Sequence, residues 1–215
     1  STIDRVDFSN DTATAAEKGP LSSIRTSLNS GTGNASYGYF GGGAAPAPSD
    51  KSTIDRIDYS SDTSTASPKG PLSRSQDKLA ATGNSDFGYF AGGGSFGSLA
   101  TTVDRLDYSS DTTTTAVKGP LAAARYWPGA TGNTSFGYVA GGGYPAVSNV
   151  DRIDYSNDTA TAAVKGPLTK INYGMGAASP RANALPTSDR SNNQGIISYS
   201  DSSGNEDATT CQFDT

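Results

Sequence analysis

One short phrase recurs four times along this chain, and any fold must accommodate all four copies. Ile3-Asp4-Arg5-Val6-Asp7-Phe8-Ser9 returns as Ile54-Asp55-Arg56-Ile57-Asp58-Tyr59-Ser60. It returns again with Asp104, Arg105 and Asp107 between Val103 and Ser109, and with Asp151, Arg152 and Asp154 between Val150 and Ser156. Each copy runs on through an Asp-Thr pair (Asp11-Thr12, Asp62-Thr63, Asp111-Thr112, Asp158-Thr159) to Lys-Gly-Pro-Leu at 18–21, 69–72, 118–121 and 165–168. The first three copies close on Thr-Gly-Asn, an aromatic-Gly-Tyr segment carrying Tyr39, Tyr89 or Tyr138, and a glycine cluster. The invariant core spans 3–43, 54–94 and 103–143, 41 residues each time, while the connectors shrink from 10 to 8 to 6 residues. A fixed core with elastic connectors is what stacked supersecondary units require: neighbours constrain the core, and loops on one face are free to vary. The repeats are therefore bounded as 1–51, 52–100, 101–148 and a partial fourth at 149–168. A divergent segment at 169–215 follows.

Within one unit, alternation along Ile3–Phe8 sets Ile3, Arg5 and Asp7 on one side and Asp4, Val6 and Phe8 on the other. Arg5 and Asp7 share a face, and equivalent pairs in neighbouring copies would form an ion-pair ladder. Ser-Asn-Asp-Thr supplies turn chemistry, Thr12–Ala15 reads as a short return strand, and Gly19-Pro20 forces another turn. Leu21 to Gly33 reads as a loop plus a short strand. In the closing strand, Gly38, Gly88 and Gly137 leave room for a neighbouring backbone or ring, and the glycine cluster permits conformations closed to other residues. The expectation is an all-β chain of tandem four-stranded units with no substantial helix.

Leu, Ile, Val and Phe together number only 31 of 215 residues, a share that by itself would suggest disorder. Charge is sparse, however, and the apolar residues return at fixed positions, so a thin-cored β structure is expected. The net charge of −5 and the lack of Lys/Arg runs argue against nucleic acid as a partner. No stretch approaches the roughly 20 apolar residues that span a bilayer. The chain begins at Ser1, within the repeat pattern, which reads as a processed product or a segment. The lone Cys211 excludes an intrachain disulfide and leaves an interchain one open.

The absence of histidine removes Ser-His-Asp and Cys-His catalysis and the commonest zinc ligand. Asp4/Asp7 and their equivalents could be imagined as a glycosidase pair. A catalytic pair occurs once, though, and these recur beside an Arg in every copy, so they are read as structural. The turn at 154–159 has oxygen ligands for Ca²⁺ but lacks EF-hand spacing, and self-stabilisation is favoured. The glycine runs are not followed by Gly-Lys-Ser/Thr and are not phosphate loops. Asn10, Asn34, Asn133 and Asn157 lie in Asn-x-Ser/Thr sequons. No catalytic residue, metal site or cofactor is expected. Tyr126, Trp127, Phe96 and Tyr144 differ between copies, and variable aromatics on a regular scaffold suit sugar stacking or partner contact; packing is an equal alternative for Trp127.

Units of 47 to 51 residues with an aromatic strand running into a glycine doublet, as in Tyr39-Phe40-Gly41-Gly42, resemble the kelch repeat, a β-propeller blade. Asp58-Tyr59 and Arg125 follow in the kelch order. The blade Trp is replaced by Ala or Thr, and the basic position of Arg25 and Arg125 becomes Gln76 and Asn172. The Val-Asp-Arg-Ile-Asp-Tyr-Ser-Asn-Asp-Thr phrase at 150–159 and the Gly-Asn-x-x-Phe-Gly-Tyr segment at 132–138 are similar to glycine-rich repeat proteins of marine and cyanobacterial phages. That likeness implies a non-enzymatic structural or adhesive role in a virion, tail fibre or extracellular filament, with self-association and a cell-surface glycan as partners. It leaves open a four-bladed propeller, a linear array, and a ring or fibre completed by other copies. Residues 169–215 would then be a cap or a strand donated to a neighbour, with a disordered tail after Asp201. A carbohydrate-binding module and a propeller-type glycan-active enzyme are the competing functions.

Overall fold

A computed structural model describes residues 2–7, 9–10, 12–28, 30–45, 49–95, 97–178, 194–199 and 209–214. The chain is all-β, built of small antiparallel sheets. β1 (Ile3–Arg5) pairs with β2 (Ala16–Lys18). A four-stranded sheet follows, in the order β3 (Gly31–Gly33), β4 (Tyr37–Gly41), β5 (Ile54–Asp58) and β6 (Ser67–Lys69). The second sheet comprises β7 (Ala80–Gly83) and β8 (Phe87–Ala91), then, after the small hairpin β9 (Gly94–Ser95) and β10 (Ser98–Leu99), β11 (Val103–Asp107) and β12 (Ala116–Val117). The third contains β13 (Gly129–Gly132), β14 (Phe136–Ala140), β15 (Val150–Asp154) and β16 (Ala163–Lys165). The last has three strands: β17 (Gly176–Ala178), β18 (Gln194–Tyr199) and β19 (Thr209–Asp214). Each four-stranded sheet thus draws its first two strands from one sequence repeat and its last two from the next.

The register is the same in all three: Tyr39 faces Arg56, Tyr89 faces Arg105 and Tyr138 faces Arg152. The first strands β3, β7, β13 and β17 lie side by side in that order. Both faces of each four-stranded sheet are therefore covered, and this explains the mixed pattern of Ile-Asp-Arg-Ile-Asp. Ile54 packs with Leu72, Leu79, Phe90 and Leu106 toward the following sheet. Ile57, on the other face, packs with Leu21 and Ala66 toward β1–β2. Tyr89, Val103, Leu121, Val139 and Ile153 fill the next gap, and Tyr138, Val150, Leu168 and Met175 the last. Each fully buried Leu, Ile, Val or Phe contributes about 1.5–3 kcal/mol, so a thin core is spread over four narrow seams.

The glycines do two jobs here. In the doublets, Gly42, Gly92 and Gly141 have φ of +71°, +71° and +56°, turning the chain from the second strand toward the third. Gly88 allows a close approach: a Cβ there would lie 2.6 Å from Thr32 Cγ2 and 2.9 Å from the Tyr108 hydroxyl.

Three details depart from the sequence expectations. Thr12–Ala15 lies outside any strand, and the return strand begins only at Ala16, because the chain first completes the turn after the Asp-Thr pair. Thr209–Asp214, expected as disordered tail, is β19, paired along its length with β18. Asp7 does not pair with Arg5. Its carboxylate accepts the Ser9 N–H at 2.9 Å and the Ser9 hydroxyl at 2.6 Å. Asp58, Asp107 and Asp154 do the same, the last three capping short 3-10 turns at Tyr59–Ser61, Tyr108–Ser110 and Tyr155–Asn157. These bonds hold the Asp58 carboxyl below its ordinary value.

Candidate functional site

The recurring chemistry of this chain sits where one sheet meets the next. Asp111, in the turn after β11, reaches back to the preceding sheet. Its Oδ2 accepts the Tyr39 hydroxyl at 3.0 Å and Arg56 Nη1 at 2.7 Å, while Lys69 Nζ stands 3.7 Å from Oδ1. Asp158 repeats the joint one unit on, with Tyr89 at 2.9 Å, Arg105 at 2.8 Å and Lys118 at 3.2 Å. Asp62 makes it with Arg5 at 2.7 Å and Lys18 at 3.1 Å. Burial works to raise the Asp62 carboxyl, but Lys18 and Arg5 outweigh it and hold the group below the ordinary aspartate value. Burial and the facing aspartate push the Tyr39 and Tyr89 hydroxyls well above the usual phenol range. The Arg56 and Arg105 guanidinium groups also lie over an aromatic ring of their own sheet, Arg56 on Tyr37 at 4.3 Å and Arg105 on Phe87 at 4.4 Å. Tyr39 stacks on Tyr108 at 4.9 Å and Tyr89 on Tyr155 at 4.7 Å across the same seams. Each such stack adds about 0.5–1.5 kcal/mol.

The first Asp of the second, third and fourth repeats, Asp55, Asp104 and Asp151, serves a second, fully buried joint. Arg25 donates to Asp55 and to the carbonyls of Gly42 and Thr53. Arg125 donates to Asp151 at 2.8 Å and to the carbonyls of Gly141 and Asn149. In the middle copy Gln76 replaces the guanidinium and donates to Asp104 at 3.3 Å. Burial raises the Asp104 carboxyl.

A cavity of about 750 Å³ lies between the row of first strands and β1–β2. Arg5, Lys18, Asp62, Thr32, Thr82 and Thr131 line it, and Ala177 and Ala178 of β17 reach its wall. Thr32 Oγ1 donates to the Thr82 carbonyl at 3.1 Å and Thr82 Oγ1 to the Thr131 carbonyl at 3.0 Å. Among the described residues, no group of three or more His, Cys, Asp or Glu is placed to hold a metal.

Of the variable aromatics, Tyr126 and Trp127 come together with Tyr173, which the sequence did not single out. Trp127 is half-buried, stacked on Tyr173 at 6.0 Å and tilted against Tyr126 at 6.2 Å. Lys78 Nζ sits 4.8 Å and 5.2 Å from those Tyr126 and Trp127 ring centres. Tyr144 is 71% exposed, and Phe96 lies outside the described residues. Lys78 and Trp127 belong to a row of left-handed positions, Ser27, Lys78, Trp127 and Gly174, with φ from +49° to +72°. Each N–H after the first donates to the carbonyl of its predecessor. No residue-type signal could have revealed that row, since four different residues occupy it. No model of a known protein family matches the chain, and no curated protein does.

Proposed function

We propose that this chain is a non-enzymatic structural and adhesive module of a virion fibre or extracellular filament. In this reading its sheets are propeller blades set around the cavity. The observation that carries the reading is the joint made three times over, in which Asp62, Asp111 and Asp158 reach back to the Arg and Lys of the preceding unit. An acid engaged this way, and in a 3-10 turn or a buried pair at the other Asp positions, is committed to holding sheets together. The resemblance of 150–159 and 132–138 to phage repeat proteins supports the virion assignment, and the kelch-like doublets support blades. The test is localisation: antibodies against the chain should decorate a fibre or appendage of the particle or cell in electron micrographs. Purely diffuse labelling ends this reading.

Carbohydrate binding is the second reading, supported by the Lys78–Tyr126–Trp127–Tyr173 cluster beside a connector that carries an exposed Tyr144. It expects glycan-array signal that falls at least tenfold in Trp127→Ala and is unchanged in Val164→Ala, with the glycans intact by mass spectrometry. Shortened glycans would point to the enzyme reading instead.

A further inference from the structure

Contacts made three times between consecutive units are, among the described residues, left unmade once, at the last seam. The N–H of Gly19, Gly70 and Gly119 donates to the carbonyl of Asp62, Asp111 and Asp158, each at 2.8 Å. The carbonyls of Pro20, Pro71 and Pro120 accept from Ala66, Thr115 and Ala162. A Cβ on those glycines would lie 1.9, 1.8 and 1.8 Å from the carbonyl oxygens of Ser64, Thr113 and Ala160. The fourth set is Arg152, Lys165, Gly166 and Pro167. Among the described residues none of these meets an aspartate or a turn backbone, and a Cβ on Gly166 would meet nothing within 4 Å.

The missing half of each contact is present in the first repeat. Asp11 and Ala15 are the sequence equivalents of Asp62 and Ala66; Asp11 lies outside the described residues, and Ala15 is only half-buried where Ala66 is buried. Among the described residues, the row of left-handed positions likewise begins at Ser27, whose N–H meets no carbonyl of another unit, and ends at Gly174, whose carbonyl meets no donor. Strand pairing tells the same story. Among the described residues, β5, β11 and β15 each have a neighbour on both sides, whereas β1 pairs with β2 alone. β18 pairs with β17 in the register that β14 makes with β13, Ser198 opposite Gly176 as Ala140 is opposite Gly129. β19 occupies the third-strand place there without the Asp-Arg pair or the Asp-Thr turn that the place uses elsewhere. Finally, Ile3–Arg5 and Ala177–Ala178 line one cavity, so the two ends of the row face each other.

We infer that residues 3–18 are the third and fourth strands of the last sheet, and that β1 displaces β19 from the edge of β18 to close the row into a ring of four. The inference rests on the blade reading above. Closure puts the Asp11 turn on Arg152, Lys165 and Gly166, and Asp4 beside the buried Asn172, the counterpart of Arg25, Gln76 and Arg125. The seam is self-complementary within one chain, which places the hairpin at a high effective concentration.

Cross-linking decides it. In a Cys211→Ser background, Ile3→Cys/Ser198→Cys places thiols at the positions that Val150 and Ala140 occupy in the third sheet. Ser198→Cys/Thr210→Cys reports the present β18–β19 pairing. After diamide oxidation, closure predicts an intrachain 3–198 bridge in most of the chain and little 198–210 bridge. Gly166→Val supplies the second readout: it is harmless to an open seam and should lower Tm by roughly 5 °C in a closed one, with loss of the 3–198 bridge. A dominant 198–210 bridge or a neutral Gly166→Val overturns the inference, and an interchain 3–198 bridge overturns it in favour of a second copy. Fibre labelling reports separately on the structural role, which stands or falls without this seam.

Discussion

Asp104 is the member of its repeated position whose partner is an amide instead of a guanidinium. Asp55 and Asp151 face Arg25 and Arg125, while Asp104 has Gln76, Thr115 and the Ser73 N–H, and Gln76 Oε1 has no hydrogen-bond partner. Burial therefore raises the Asp104 carboxyl above its ordinary value, so folding disfavours its charged form relative to the unfolded chain. The sign follows from linkage: the cost is absent below the ordinary value of 3.8 and appears as pH rises through the raised folded value. Asp104→Asn gives Gln76 Oε1 a donor and removes the charge, and Gln76→Arg restores the pair used by the other copies. Each should gain roughly 1 kcal/mol near neutral pH, and the Asn gain should vanish on acidification toward pH 4, as read by urea denaturation across pH. A gain that persists in acid contradicts the assignment. Asp151→Ala works in the opposite direction. It strands the buried Arg125 guanidinium, whose protonation burial already opposes, and should cost about 3–5 kcal/mol.

Among the elements, the second strand shows how tightly the seams are drawn. Gly88→Ala would push a methyl into Thr32 of the preceding sheet and the Tyr108 ring, and overpacking of this kind costs about 1–3 kcal/mol. The same change at Gly97, on the open hairpin where no atom lies within 4 Å, meets no clash but carries strain at a φ of +86°. The discriminating measurement is therefore hydrogen exchange, with β8 and β3 both loosened in the first variant and neither in the second. The strands of the Ile-Asp-Arg and aromatic-Gly-Tyr phrases were legible in the sequence because alternation and those phrases are local, whereas the return strand was expected at Thr12–Ala15 and lies at Ala16–Lys18. The partner of Arg5 was not. Same-face spacing suggested Asp7, but Ser9 supplies two nearer donors to that carboxylate, and the true partner, Asp62, lies 57 residues away. The recurrence of Asp-Thr and Lys at fixed offsets in every copy was the available signal. β19 was missed because a lone apolar Phe213 in polar sequence gives no alternation to read, and its pairing depends on β18 alone.

At the scale of the whole molecule, the repeat forecast units but not where the units divide. Sequence similarity begins at the Ile-Asp-Arg phrase, whereas the sheet boundary falls in the stretch from Pro20 to Ser30, so each repeat is shared between two sheets. That offset has an energetic consequence. Every connection from a fourth strand to the first strand of the next sheet crosses a seam, and the seam is held by one aspartate with two or three partners, backbone hydrogen bonds and a narrow apolar cluster. Stability should then follow nearest-neighbour terms, as in other repeat proteins. Asp111→Ala and Asp158→Ala each remove charge-assisted bonds to a Tyr and an Arg, worth about 2 kcal/mol apiece. They share no partner, so their costs should add. More tellingly, the double variant loosens the second sheet from both neighbours, and calorimetry should resolve more than one transition in it and a single one in the parent chain. A single transition in the double variant, merely shifted to lower temperature, would mean that the sheets are coupled through the backbone and the stacked tyrosines, with the aspartate joints only secondary.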